Sequence, residues 1–166
     1  QQIGILTEII KYLAEIVPVT NIYYSVENNT LGEAALIVIS DLGEENFNGL
    51  FLSEPMRKGH VRKFRKGFNT THRTKISACS QLKNLLETKK MEIKSKPLIS
   101  ELKTFVAHGV GFGAKTGEHD DLVSSTLLVI RMADVLADWD PKIYEKMTEK
   151  LTEDQLPMPI FISTGF

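Results

Sequence analysis

The sequence predicts an α/β domain. Short runs rich in β-branched and aromatic residues alternate with longer segments whose apolar residues recur at helical spacing, the pattern of strands and helices taking turns along a chain. The 166 residues fit one domain with a core of its own. No internal repeat divides the chain.

The elements follow in order. Leu6, Ile9, Ile10, Leu13, Ile16 and Val17 form a helical stripe that Pro18 ends. Residues 22–26 are β-rich and read as a strand that stops at Glu27. Asn28, Asn29 and Thr30 are turn and cap residues, so a second helix is expected over 31–42. The apolar run 49–52 reads as another strand. From Met56 to Lys75 the chain is loop-like, punctuated by Gly59, Gly67 and Asn69-Thr70-Thr71. A helix over 74–88 and a short strand over 91–93 come next. Pro97 then opens a helix with Leu98, Leu102, Phe105 and Val106 on one face. A long helix is expected over 120–137, with Leu122, Val123, Thr126, Val129, Ile130, Ala133 and Leu136 as its buried stripe. Trp139 reads as a core or edge anchor. A short charged helix and an apolar tail, 157–162, which is expected to fold back onto the domain, follow it. Three short strands are few for this length. The abrupt start at Gln1-Gln2 places the expected remainder of the sheet on the N-terminal side.

Bulk composition excludes more than it selects. With 20 basic against 21 acidic residues, overall charge points to no partner. No apolar run reaches the length of a membrane span, and nothing reads as a signal peptide. Cys79 is the single cysteine, so no internal disulfide can form, which fits a reducing compartment. Its neighbours Ile76, Leu82 and Leu85 predict a buried thiol.

Two stretches invite chemistry. The first, G-V-G-F-G-A-K-T at 109–116, is one residue away from a phosphate-binding loop. Ala114 stands where the last glycine belongs, Gly117 interrupts the helix that should follow, and no strong strand precedes it. Such a motif counts only between a strand and a helix, so the nucleotide cradle is set aside. The second is the acid pair Asp120 and Asp121 that follows, at the predicted start of the long helix. Acids there are stabilised by the helix dipole, which is the plain explanation for them. Glu27 adds a carboxylate at the end of the best strand, where ligands of α/β sheets bind.

Carboxylates drawn from a strand end and a helix start are what magnesium or manganese ions need to support phosphodiester hydrolysis. A basic run supplies the complement. Arg57, Lys58, Arg62, Lys63, Arg65, Lys66, Arg73 and Lys75 fall where no acid occurs between Glu54 and Glu87, a density suited to nucleic-acid phosphates. Phe64 and Phe68, set among these charges, are expected to pack the run onto the domain, and His60 and His72 read as solvated loop residues.

The motifs V-E-N-N-T-L-G at 26–32, H-R-T-K-I at 72–76, E-L-K-T-F at 101–105 and G-E-H-D-D-L-V at 117–123 carry a resemblance. In order and spacing, from Tyr24 to Leu136, the chain resembles the nuclease domain of the large terminase subunit of T4-like tailed bacteriophages. The resemblance implies an RNase H-like fold and endonucleolytic cutting of double-stranded DNA with Mg²⁺ or Mn²⁺, two ions in the complete site. It assigns Glu27 and Asp121 as metal ligands, with Asp120 as an assisting acid. It also implies the portal protein and the small terminase subunit as partners, and work in the host-cell cytoplasm and transiently at the procapsid. The family's first aspartate and its ATPase motor domain have no counterpart. The expectation is therefore the C-terminal part of a nuclease domain, lacking its first strands, with Glu118 and Asp41 as possible substitute acids and weak or absent activity. Two other readings stay open: a non-catalytic DNA-binding or assembly module, and a related recombinase or transposase.

Overall fold

The computed structural model describes residues 2–55 and 66–139. Those residues form a mixed α/β structure of five α-helices and four short strands, and the chain divides into two compact units, Gln1–Thr70 and Thr71–Phe166. No helix among the described residues is long and apolar enough to cross a membrane.

The first unit opens with α1, Gln2–Ile16, which stops before Pro18 as its missing N–H requires. A 3₁₀ turn leads into β1, Tyr23–Tyr24. Helix α2, Thr30–Leu42, and a further 3₁₀ turn carry the chain to β2, Leu50–Phe51, which pairs parallel to β1. The pairing resumes beyond β1 as a parallel bridge from Glu27 to Phe68. Ile10, Ile22, Tyr24, Ile39 and Phe47 are the buried centre, with Tyr24 stacked on Phe47 and edge-on to Phe51.

Only part of the predicted α1 stripe is inside. Leu6, Ile10, Leu13 and Val17 pack on the core together with Ile3 and Ala14. Ile9 and Ile16 instead join Ile5 and Tyr12 on a second, exposed face. Phe68 is 1% exposed, so it packs as expected.

The second unit begins with α3, His72–Glu87, whose N-cap Thr71 and Thr74 form a reciprocal capping box. This places Arg73 on a helix rather than in the predicted loop, and Lys75 within the helix expected over 74–88. Residues 91–93 form no strand, and α4 runs over Lys96–Thr104 with Ser95 as its cap. Phe105 and Val106, read above as helical, instead open β3, Phe105–His108, which pairs antiparallel with β4, Gly111–Ala114. Their two-residue turn starts at Gly109 with φ of +54°, the geometry that glycine supplies without steric cost. Helix α5, Asp121–Trp139, closes the unit. Its Val123, Leu127 and Ile130 meet Ala78 and Leu82 of α3, flanked by Leu98, Leu102 and Phe105. Leu122, placed in the buried stripe by periodicity, is 40% exposed, while Leu127 and Val135 are buried.

Two stability predictions follow from the first unit's core. A Cβ on Gly32 would lie 1.6 Å from the Glu27 carbonyl oxygen, whereas one on Gly4 would meet nothing within 4 Å. Gly32→Ala is expected to cost about 3 kcal/mol by overpacking. Gly4→Ala should gain about 0.5–1 kcal/mol from helix propensity. Urea denaturation of the two variants checks the pair, and equal midpoints would refute the packing assigned to Gly32.

The Tyr24 hydroxyl is buried with no hydrogen-bond partner among the described residues. Burial, then the nearby Glu44 carboxylate, pushes its pKa from the ordinary 10.0 up to about 12. The unfolded chain ionises first as pH rises. The stability this group contributes is thus complete below its ordinary pKa and is lost as pH climbs through the folded one. In Tyr24→Phe that part of the alkaline loss should vanish, with stability at neutral pH unchanged or higher, as expected where a hydroxyl lacks a partner. Denaturation midpoints measured across the alkaline range test this.

Candidate metal and nucleic-acid site

Helix α5 begins where the sequence placed its acid pair. Its first turn has orphan amides that need acceptors. A residue at the Asp120 position ordinarily supplies one through its own side chain, to the second or third amide of the helix. Here Glu101, on α4, does so instead: its Oε2 accepts from Leu122 N at 2.8 Å and from Val123 N at 3.1 Å. The Asp120 backbone carbonyl still accepts the first helical bond, from Ser124 N.

Asp120 is consequently released from capping, and the two aspartates end in different states. Asp120 Oδ2 accepts from the Lys75 ammonium at 3.2 Å, each side chain roughly a quarter exposed. The same ammonium lies 5.4 Å from the Phe105 ring centre, within cation–π range. The Asp121 carboxylate is exposed and has no hydrogen-bond or ion-pair partner among the described residues. One helix start thus presents a neutralised acid and a free one.

Glu27 lies in the first unit, at the carboxyl end of the parallel pair, as its place in the sequence implied. Its backbone bridges to Phe68, and Asn28 is buried beside it, donating through Nδ2 to the Lys66 carbonyl at 3.0 Å. Asn29 does two jobs. Its Oδ1 caps α2 by accepting from Gly32 N at 3.2 Å, and its Nδ2 donates to Glu27 Oε2 at 3.0 Å. One Glu27 oxygen is therefore oriented by a neutral donor.

The basic residues separate into groups. Arg57, Lys58, Arg62, Lys63 and Arg65, with His60 and Phe64, lie outside the described residues, as does the tail at 157–162. The Lys66 ammonium is paired with Glu44 and that of Lys75 with Asp120. Arg73 is exposed and carries no ion pair among the described residues. His72 is exposed on the first turn of α3, near the backbone of Gly111. Cys79 is half-buried rather than fully enclosed. Burial, against the opposing effect of Lys75, pushes its thiol pKa up, so it is no activated nucleophile.

Carboxylate oxygens are the donors that Mg²⁺ and Mn²⁺ prefer, and Glu27 and Asp121 fit that chemistry. Among the described residues no group of three or more His, Cys, Asp or Glu side chains converges as a metal cage. Asp41 is exposed near the end of α2 and Glu118 is exposed in the turn before α5. Compared with the known protein families, the chain matches none.

Sequence reasoning placed Asn29 among the cap residues of α2 but missed its bond to Glu27, and it missed the role of Glu101. Glu101 carried no readable signal, because its acceptor role spans two helices that are adjacent only after folding.

These pairings predict different behaviour for two basic residues of α3. In an anisotropy titration on duplex DNA, Arg73→Ala should lower the salt slope of affinity by about 1, the signature of a lost phosphate contact. Lys75→Ala should leave the slope unchanged and instead cost about 1 kcal/mol of stability. The reverse pattern would show that Lys75 leaves Asp120 to contact DNA.

Proposed function

We propose that the chain is part of an RNase H-like nuclease domain of the phage terminase type, cutting double-stranded DNA during packaging with Mg²⁺ or Mn²⁺. The observation that carries this reading is the state of Asp121. Within the G-E-H-D-D-L-V motif, its carboxylate stays exposed and unpaired at a helix start whose capping is done by another residue. A carboxylate with no protein donor or cation is in the right condition to take a metal ion. Glu27 supports it from the carboxyl end of a parallel pair, with one oxygen held by Asn29.

In this reading the bound ions would activate water and stabilise the leaving oxygen. The chain's own residues do the rest. Asp121 and Glu27 each offer hard oxygen donors. Lys75 compensates the charge of Asp120, so that two adjacent carboxylates do not repel each other at full strength. Arg73 and the basic run at 57–66 neutralise DNA phosphates, which hold the backbone without reading sequence. The portal protein and the small terminase subunit are the partners this role would require, in the host-cell cytoplasm and at the procapsid.

A second reading, a non-catalytic DNA-binding or assembly module, draws on a different observation. Ile5, Ile9, Tyr12 and Ile16 form an exposed apolar stripe along α1, and exposed stripes of this kind mark protein contacts.

Nicking of supercoiled plasmid in Mg²⁺ and in Mn²⁺ separates the two. Weak nicking that requires metal is expected, falling about 100-fold or more in Asp121→Asn and in Glu27→Gln, since even the partners of metal ligands are worth 10–100-fold. DNA retention without nicking in any of the three proteins would transfer the reading to the binding module. Nicking that survives both substitutions would sink the assignment of these acids.

A further inference from the structure

Helix α1 is apolar on two faces. One packs on the core of the first unit through Ile3, Leu6, Ile10, Leu13 and Val17. The other carries Ile5, Ile9, Tyr12 and Ile16, each between 45% and 62% exposed. The inner face alone anchors the helix, so the outer one is left over.

Its spacing says what shape would cover it. The steps from Ile5 to Ile9, Tyr12 and Ile16 are four, three and four residues, the alternation of a coiled-coil seam. At 3.6 residues per turn the four positions fall within about 60° of one another. A stripe that narrow matches the seam of one facing helix, whereas packing into a globular core uses a wider apolar arc. The anchored inner face also holds the stripe in place before any partner arrives, which lowers the cost of binding.

Charge decides which helix. Glu8 and Glu15, seven residues apart and both exposed, border the stripe about 60–80° round from Ile5. Neither carboxylate has an ion pair among the described residues. Lys11, between them in sequence, lies farther round, about 120° from Ile5. Leu6 and Leu13 stand on the opposite border and belong to the core. In a coiled coil the residues beside the seam meet their counterparts on the facing helix. A second copy of α1 paired antiparallel would set Glu8 of one copy against Glu15 of the other, like charge on like. A parallel copy would set both acids against the Leu6 and Leu13 side, which the core fills. A helix with basic borders satisfies both acids instead.

We propose that the outer face of α1 docks an amphipathic helix of a partner protein, whose apolar seam is bordered by basic residues seven positions apart that meet Glu8 and Glu15. This docking rests on the same stripe as the assembly reading and is independent of the nuclease reading, since it uses none of Glu27, Asp120 and Asp121. Nicking and docking can therefore fail separately.

The probe is a labelled helical peptide of about three heptads with Ile at a, Leu at d and Lys at e and g, where like charges keep it from pairing with itself. A second peptide carries Glu at e and g. Anisotropy titrations with the 166-residue chain give both affinities, and sedimentation velocity gives the oligomeric state of the chain alone. The lysine peptide is expected to bind saturably and the glutamate peptide about tenfold more weakly, as two exposed ion pairs turned into repulsions would give. Ile9→Glu, which sets a charge in the seam, should weaken the lysine peptide about tenfold or more. Glu8→Lys combined with Glu15→Lys should reverse the preference between the peptides. Both positions are exposed, so this variant keeps the test open if Ile9→Glu does not fold. No saturable binding of the lysine peptide would overturn the docking, as would equal affinity for the two peptides or a preference that survives the double substitution. Self-association of the chain that Ile9→Glu abolishes would overturn it too, by making a second copy the occupant.

Discussion

A helix cannot begin inside a packed structure until its first amides have acceptors, and in the second unit that requirement organises the surroundings of the acid pair. The acceptor is Glu101, which draws the end of α4 against the start of α5. Once those amides are served from outside, Asp120 is available to Lys75, and Lys75 in turn joins the first turn of α3 to the same place. Three helices are tied at one point by two carboxylates, an ammonium and a pair of backbone donors. The apolar cluster of Ala78, Leu82, Val123, Leu127 and Ile130 is shared by α3 and α5, so the polar tie and the core constrain each other.

The first unit meets the same requirement by a local route. Asn29 caps α2 with its oxygen and steadies Glu27 with its nitrogen, so a single amide group connects helix start and strand end. The turn between them is tight enough that Gly32 has no room for a side chain beside the Glu27 carbonyl. The V-E-N-N-T-L-G motif is therefore accounted for by geometry at three of its positions: the acid, the cap two residues later and the glycine five residues later. In both units a carboxylate stands next to a helix start without being consumed by it.

What the sequence made legible follows from which forces are local. The extents of α1, α2, α3 and α5 were readable because apolar periodicity, Pro18 and the cap residues act within a few positions. The hairpin of β3 and β4 was not. Phe105 and Val106 continue the spacing of Leu98 and Leu102, and only pairing with Gly113 and Ala114 converts them to strand. Which face of α1 is buried was equally hidden, since its apolar residues encircle most of the helix and only the rest of the core chooses among them. Among the candidate acids, Glu27, Asp120 and Asp121 were singled out by type and position. Their unequal states, one acid tethered, one paired and one free, were not, because they depend on Asn29, Lys75 and Glu101 arriving from folding.

The glycine-rich stretch that imitates a phosphate loop shows how a motif can be read by the space it leaves. Only Gly109 is needed for its backbone angle within the hairpin itself. Gly111 and Gly113 alternate along β4 and so share one of its faces. A Cβ at Gly111 would come within 3.1 Å of the His72 ring, and one at Gly113 within 3.9 Å of Asp120 Oδ2. At Gly111 the exposed His72 side chain would have to give by a few tenths of an ångström, whereas at Gly113 His108 and Asp120 stand at ordinary contact distance. The glycines of this stretch are therefore accounted for by a turn and a close approach to α3 rather than by a phosphate.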